Sequence, residues 1–201
     1  MDIISRLATT ARSLTALLIQ PASAHCDTED GPAVQDGRRA LETGNANYAL
    51  KWVYAEGEDE VRTAFDAAQA GRGGDGAAQA ARAFLETLVR VHRAGEGAGF
   101  DGIKPTGTEL PAEVVAADAA LDADTIEPLR GLIPDDRWDE LEQRFNVART
   151  KKGFDVDDLD AARDYVSSYV HFFKYAEGED EHHHHGGHEH GSHDHIAHQH
   201  Q

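Results

Sequence analysis

An internal repeat constrains the fold of this chain more than any local propensity does. The stretch ARAFLETLVRVHRAGEG, which begins at Ala81, aligns with ARDYVSSYVHFFKYAEGE, which begins at Ala162. Two upstream matches have nearly the same separation: EVRTAF at 60–65 with ELEQRF at 140–145, and PAVQ at 32–35 with PAEV at 111–114. We therefore predict two copies of one unit, over 32–97 and 111–178, because small drifts in separation are what changes in loop length produce.

Each predicted unit is helical. Its apolar residues recur with the 3.6-residue period of an α-helix, and alternating, strand-like runs are missing. A proline at the first position favours a helix that starts at Pro32, and acidic residues fill the first turn of EDEVRTAFDAAQA. Further helices are predicted over 47–54, 58–70, 77–94, 137–150 and 155–177. The sequence thus predicts an all-α bundle of about eight helices with pseudo-two-fold symmetry.

The charge balance excludes two classes of partner. The chain has 37 acidic and 19 basic residues, which gives a formal net charge of −18 at pH 7. Such a surface repels nucleic acids and anionic membranes, so we expect no nucleic-acid partner and no membrane insertion of the mature chain. The glycine-rich linker at 95–111 follows a predicted helix and lacks the Gly-Lys-Ser/Thr ending of a phosphate-binding loop, so it is interpreted as a crossing loop.

Residues 1–24 have the features of a secretory leader. Two arginines form a short basic region, LTALLI at 14–19 is apolar, and ASA at 22–24 fits the small-x-small pattern before a cleavage site. The apolar stretch is too short to span a bilayer. We predict export to the periplasm, cell surface or exterior, with cleavage after Ala24. The alternative is an amphipathic N-terminal helix that stays attached to a cytoplasmic protein.

Cleavage after Ala24 would make His25-Cys26-Asp27 the start of the mature chain. The α-amine, an imidazole, the thiolate of the single cysteine and a backbone amide would then lie within two residues, and this nitrogen and sulfur set suits nickel, copper or zinc. One cysteine cannot close an intramolecular disulfide, so the other interpretations of Cys26 are a buried spectator or an intermolecular link. We predict that His25 and Cys26 are metal ligands.

His92 lies on the apolar face of a predicted helix, where the aligned residue of the second unit is Phe173. This asymmetry leaves two interpretations: a core histidine with a satisfied hydrogen bond, or a ligand or acid–base group. Glu96 follows one helical turn later, and a histidine and a carboxylate at that spacing can share a metal ion or make a simple hydrogen bond at a helix end. Both are candidate metal ligands, whereas His171 is predicted to lie on the surface.

The C-terminal tail, residues 179–201, is the strongest chemical signal in the sequence. Imidazoles alternate there with polar residues, and with almost no apolar content the segment is predicted to be disordered when free. Closely spaced neutral imidazoles chelate several divalent transition metal ions weakly. A purification tag and a solvated spacer are the alternatives. The predicted ligands in the tail are His182, His183, His184, His185, His188, His190, His193, His195, His198 and His200.

Two segments resemble a family of small exported prokaryotic proteins that is catalogued as a domain of unknown function. They are SAHCDTEDGPAVQDGRRALETGN and ETLVRVHRAGEGAGFDGIKPTGTEL, and members often end in a histidine-rich segment. The resemblance covers nearly the whole chain and implies a helical, exported protein, without catalytic residues to transfer. The start His25-Cys26-Asp27 also resembles the nickel hook of nickel superoxide dismutase, although the second cysteine of that family is missing here.

These features predict an exported protein that captures, buffers or stores nickel, copper or zinc. The tail would collect metal ions, and the folded body would hold a tighter site formed by His25, Cys26 and His92. The alternative is a metal-dependent oxidoreductase, such as a superoxide dismutase-like enzyme that uses the N-terminal hook. The missing second cysteine and the size of the tail favour binding over catalysis.

Overall fold

The structure is a computed structural model, and it describes residues 25–178. The fold of this part is all-α, as predicted. The α-helices are α1 (Pro32–Thr43), α2 (Asn47–Leu50), α3 (Glu58–Ala70), α4 (Ala77–Gly95), α5 (Ala112–Asp122), α6 (Trp138–Lys151) and α7 (Leu159–Glu177). Three 3₁₀ turns lie between them, at Ala55–Gly57, Glu127–Leu129 and Asp135–Arg137.

The described residues contain seven α-helices, where about eight were predicted for the bundle. Between α5 and α6 the chain forms the 3₁₀ turn Glu127–Leu129, with Pro128 at its start. Helix α2 is also shorter than predicted, since the N–H groups of Trp52 and Val53 bond to carbonyls three residues back and tighten the chain into a turn.

Local sequence explains where the longer helices begin and end. Helix α3 starts with three acidic residues, which suit the positive end of the helix dipole. The side chain of Asp158 accepts a hydrogen bond from the backbone N–H of Ala161 and caps α7. Gly178 follows α7 with a φ of 101°, a left-handed conformation that glycine adopts without steric cost. These signals place α3, α4, α6 and α7 close to their predicted positions.

The helices pack in two groups around two long central helices. Helices α1 and α3 pack on α4, and helices α5 and α6 pack on α7. Aromatic pairs mark the two contacts, since the rings of Phe65 and Phe84 and those of Phe145 and Phe172 each lie 5.6 Å apart. The buried residues of α3 and α6 also have the same spacing: Val61, Phe65 and Ala68 in one, and Leu141, Phe145 and Ala148 in the other.

The segment before α1, residues 25–31, is built into the core. His25, Cys26, Asp27 and Thr28 are each at most 5% exposed. Backbone hydrogen bonds tie the segment to the 95–111 linker: the N–H of Glu29 donates to the carbonyl of Lys104, whose own N–H donates to Asp27. The linker therefore holds the segment in place against the helices.

No helix within residues 25–178 is long and apolar enough to cross a membrane.

Candidate functional site

Buried polar side chains meet where the N-terminal segment contacts α4, α5 and α7. We call this group the polar cluster. It consists of His25, Cys26, Asp27, His92, Arg93, Glu96, Asp118, Tyr169 and Lys174. Charged groups are rarely buried without a partner or a function, so the cluster is the natural place to look for a site.

His25 is held by two oxygen atoms from different helices. Its Nε2 atom lies 2.7 Å from Oδ2 of Asp118 on α5 and 3.0 Å from the hydroxyl oxygen of Tyr169 on α7. Tyr169 in turn donates a hydrogen bond of 2.7 Å to Oδ1 of Asp118. In the neutral imidazole, the tautomer with its proton on Nε2 donates to these oxygens and leaves the free lone pair on Nδ1. That Nδ1 atom is buried and has no hydrogen-bond partner.

Cys26 is a free thiol, and its side chain is 1% exposed. Burial raises the pKa of the thiol well above its ordinary value, and the charges of Glu96, Asp27 and Asp118 raise it further. Lys174 lowers this pKa, but by less. The residue is therefore a protonated thiol at neutral pH unless a cation stabilises the thiolate.

Asp27 forms a buried ion pair with Arg93. The Oδ2 atom of Asp27 lies 3.4 Å from Nε of Arg93, and the same Nε donates to the carbonyl of Gly99. Burial raises the pKa of Asp27 to about 6, although Arg93 and Lys104 lower it. Its Oδ1 atom and Nη1 of Arg93 are buried without a hydrogen-bond partner. The two side chains of this ion pair thus have only part of their hydrogen-bonding capacity filled.

His92 on α4 has the same kind of arrangement as His25. Its Nδ1 atom lies 2.8 Å from the carbonyl oxygen of Trp52 and must donate to it, so Nε2 has the free lone pair. Burial lowers the pKa of His92, which keeps the imidazole neutral. Nε2 is buried without a hydrogen-bond partner, 3.8 Å from Oε2 of Glu96. The other oxygen of Glu96 lies 3.1 Å from Nζ of Lys174.

Aromatic rings lie between the two imidazoles. The ring of Trp52 contacts that of His92 at 5.6 Å and that of Tyr169 at 6.1 Å, and Tyr169 is the residue that hydrogen-bonds His25. Of the predicted ligands in the body, His92 and Glu96 lie 3.8 Å apart, while Cys26 adjoins His25 in the sequence and its thiol lies within the influence of the Glu96 charge. In residues 25–178 no group of three or more His, Cys, Asp or Glu side chains is placed to hold a metal ion together. The metal-binding role of these residues stays a prediction.

His171 is exposed, as predicted. The ten histidines of the tail and the cleavage point after Ala24 lie outside the described residues, so the structure does not test them.

Sequence reasoning missed Asp118 and Tyr169, the residues that orient His25. A signal existed for each of them. Asp118 is a single carboxylate within the apolar run VVAADAAL of α5. In the predicted repeat, Tyr169 aligns with Leu88, a polar-for-apolar exchange of the same kind as His92 against Phe173.

Comparison with known proteins places the chain in a family. Residues 30–175 match the model of the Family of unknown function (DUF6448), so the chain belongs to this family. No match was found among curated proteins or among solved structures.

Proposed function

We propose that this member of the DUF6448 family is an exported protein that binds a divalent transition metal ion, such as nickel, copper or zinc. The observation that carries the proposal is the buried, unpartnered Nδ1 of His25, whose opposite ring nitrogen is fixed by Asp118. Histidines that ligate metals almost always donate their other N–H to a carboxylate or a carbonyl in this way. Cys26, the next residue, would add a thiolate.

The chemistry of the donors fits a borderline-soft ion. A neutral imidazole lone pair and a thiolate suit nickel, copper and zinc better than magnesium or calcium. A bound cation would also offset the cost of ionising Cys26, whose thiol has a raised pKa in the metal-free fold. In this proposal the histidines of the tail collect ions at lower affinity, and the His25–Cys26 pair holds one ion more tightly.

We further propose that the two halves are copies of one helical unit, with α1, α3 and α4 equivalent to α5, α6 and α7. The matching packing partners support this, as does the shared spacing of buried residues in α3 and α6. In an experimental structure the units should superpose with Phe84 over Tyr165 and Leu88 over Tyr169. Unrelated positions for these pairs would contradict the duplication.

The metal proposal can be tested on the full chain, purified from an export-competent host, with its N-terminus identified by mass spectrometry. Bound metal is measured by elemental mass spectrometry in the native chain, in Cys26→Ser, and in a variant with all ten tail histidines changed to glutamine. Several ions should bind at pH 7.5 and leave near pH 5, where imidazoles protonate.

The tail variant should lose most of the capacity and keep one tight ion. With nickel or copper that ion should give a thiolate-to-metal charge-transfer band that Cys26→Ser abolishes. Full capacity without the tail histidines would show that the tail is not the chelator. A tail variant with no tight ion and no Cys26-dependent band would refute the His25–Cys26 site. An assay of superoxide loss on the loaded protein tests the alternative enzymatic role.

A further inference from the structure

A pocket opens at the His92 and Glu96 end of the polar cluster. It has a volume of about 90 Å³ and is lined by residues of the turn after α2, of α4 and of α7. Pockets that hold organic ligands usually enclose about 300–1,000 Å³. This pocket therefore has room for an ion with a few water molecules and not for a drug-sized substrate.

The polar groups of the pocket wall differ in how well they are paired. Lys51 forms an ion pair of 2.8 Å with Asp36, and Arg163 bonds to Glu58 and to two backbone carbonyls. Both cations are therefore already engaged, which argues against an anion as the ligand. Among residues 25–178, the buried side-chain atoms of this pocket without a hydrogen-bond partner are Nε2 of His92 and Oε2 of Glu96.

Both of these atoms are acceptors. Nε2 of His92 has the lone pair because Nδ1 donates to the carbonyl of Trp52, and the carboxylate of Glu96 can only accept. Two acceptors 3.8 Å apart cannot form a hydrogen bond with each other while the imidazole is neutral. What would satisfy both is a cation or a donor placed between them. Their separation is within the sum of a metal–nitrogen and a metal–oxygen bond, which is about 4.2 Å for zinc.

We propose that His92 and Glu96 form a second cation site, separate from the His25–Cys26 pair, in which one divalent metal ion is bound by Nε2 and Oε2 and completes its coordination with exchangeable water from the pocket. The arrangement has the usual supports of a ligating pair. The carbonyl of Trp52 fixes the tautomer of His92, and Lys174 holds the other oxygen of Glu96 at 3.1 Å.

The chemistry of this site differs from that of the His25–Cys26 pair. Its ligands are one nitrogen and one oxygen without sulfur, and the residues that carry them line the pocket. Metal sites that keep an open coordination position polarise bound water or a small ligand. The further inference is thus that a small neutral ligand such as water reaches the bound metal ion from this pocket.

The test uses the full chain with the tail histidines changed to glutamine and with Cys26→Ser, so that it does not depend on the function proposed above. Cobalt(II) is the probe, since its visible spectrum reports coordination and a thiolate band identifies sulfur ligation. One equivalent should bind, with a spectrum of nitrogen and oxygen coordination. His92→Gln and Glu96→Gln, added separately, should each weaken binding at least about 10-fold, the lower end of typical losses. His171→Gln, at an exposed residue of the same pocket, is the matched control and should leave the affinity unchanged.

A second measurement covers the case in which His92→Gln does not fold. Zinc is titrated into the protein that has the tail and Cys26 substitutions but keeps His92 and Glu96. It should shift the ¹⁵N resonance of Nε2 of His92 in imidazole-selective spectra, without a comparable shift of Nδ1. Absence of that shift at saturating zinc would overturn the site, and so would unchanged cobalt affinity in folded Glu96→Gln. If cobalt binds here while the native chain shows no Cys26-dependent band, the pocket site stands and the His25–Cys26 site falls.

Discussion

The Nε2 atom of His25 lies 3.0 Å from the hydroxyl oxygen of Tyr169, a residue 144 positions further along the chain. Asp118 accepts from both groups and so connects the N-terminal segment to α5 and α7. The start of the folded body is thus fixed by the second half of the bundle. A substitution in that half should therefore alter the position or the hydrogen bonds of His25.

Asp118→Asn tests the support of His25. The amide keeps the shape but loses the charge, so the buried imidazole loses its charge-assisted partner. We expect the metal-free protein to lose about 1–3 kcal/mol in the free energy of unfolding, measured by urea denaturation. Metal affinity at the His25–Cys26 site should fall about 10–100-fold. Asp122→Asn, at the exposed end of the same helix, is the control, and a similar loss there would show that the effect is not specific to His25.

Tyr169→Phe removes one hydroxyl and leaves the contact between His25 and Asp118 in place. The lost hydrogen bond to Asp118 is partly buried, so the expected cost in unfolding free energy is about 1–2 kcal/mol. Tyr165→Phe, one turn earlier and half-buried, should change stability by less. Thermal unfolding of the two variants side by side measures the difference. Equal stability of both variants would mean that the Tyr169 hydroxyl contributes nothing.

Gly31→Ala should disturb the turn that leads from the buried segment into α1. A Cβ atom at this position would lie 2.1 Å from the carbonyl oxygen of His25, and backbone atoms cannot move aside cheaply. We expect a loss of several kcal/mol or a failure to fold, by analogy with overpacked cores that lose about 1–3 kcal/mol or more. Gly153→Ala is the matched control, because a Cβ there meets nothing within 4 Å. Chemical denaturation measures the free energy of unfolding of both variants, and an equal value for the two would contradict this prediction.

The helices could be predicted from sequence because their signals are local. The 3.6-residue period, the acidic first turns and the flanking glycines lie within each segment, and they place α3 within the predicted bounds of 58–70.

The site could be predicted only in part. His92 was marked by its asymmetry with Phe173, and its buried position and free lone pair agree with a polar role in the core. The partners of His25 could not be found from spacing, because Asp118 and Tyr169 reach it through the packing of α5 and α7. The separation of His25 from His92 depends on where the rings of Trp52 and Tyr169 pack, which no local pattern specifies.

Cys26 should resist alkylation in the native, metal-free protein. Its side chain is 1% exposed, and burial raises the pKa of the thiol, so reaction requires the segment to open. An opening free energy of about 3 kcal/mol already slows the reaction about 100-fold relative to the unfolded chain. Iodoacetamide labelling at pH 8, with and without denaturant, measures the ratio by mass spectrometry. Rapid labelling of the native protein would show that the N-terminal segment is not packed in solution.

Asp27 should make the metal-free protein less stable as the pH rises. Its pKa is raised to about 6 in the folded state against an ordinary 3.8, chiefly by burial, so the folded protein holds this proton more tightly than the unfolded chain does. The favourable contribution is therefore complete below about pH 4 and is lost as the pH rises through 6. The expected loss is about 1–3 kcal/mol in the free energy of unfolding.

Urea denaturation between pH 4 and pH 7.5, in the presence of a chelator, measures this dependence. Other carboxylates contribute to the profile of the native chain, so the informative quantity is its difference from that of Asp27→Asn. The asparagine variant has no proton to release at this position, so this titration does not change its stability. Its stability relative to that of the native chain should therefore rise as the pH rises from 4 to 7.5. Asp101→Asn, an exposed residue of the linker, should keep the native profile. A constant difference between Asp27→Asn and the native chain across this range would mean that Asp27 is ionised throughout and that Arg93 outweighs its burial.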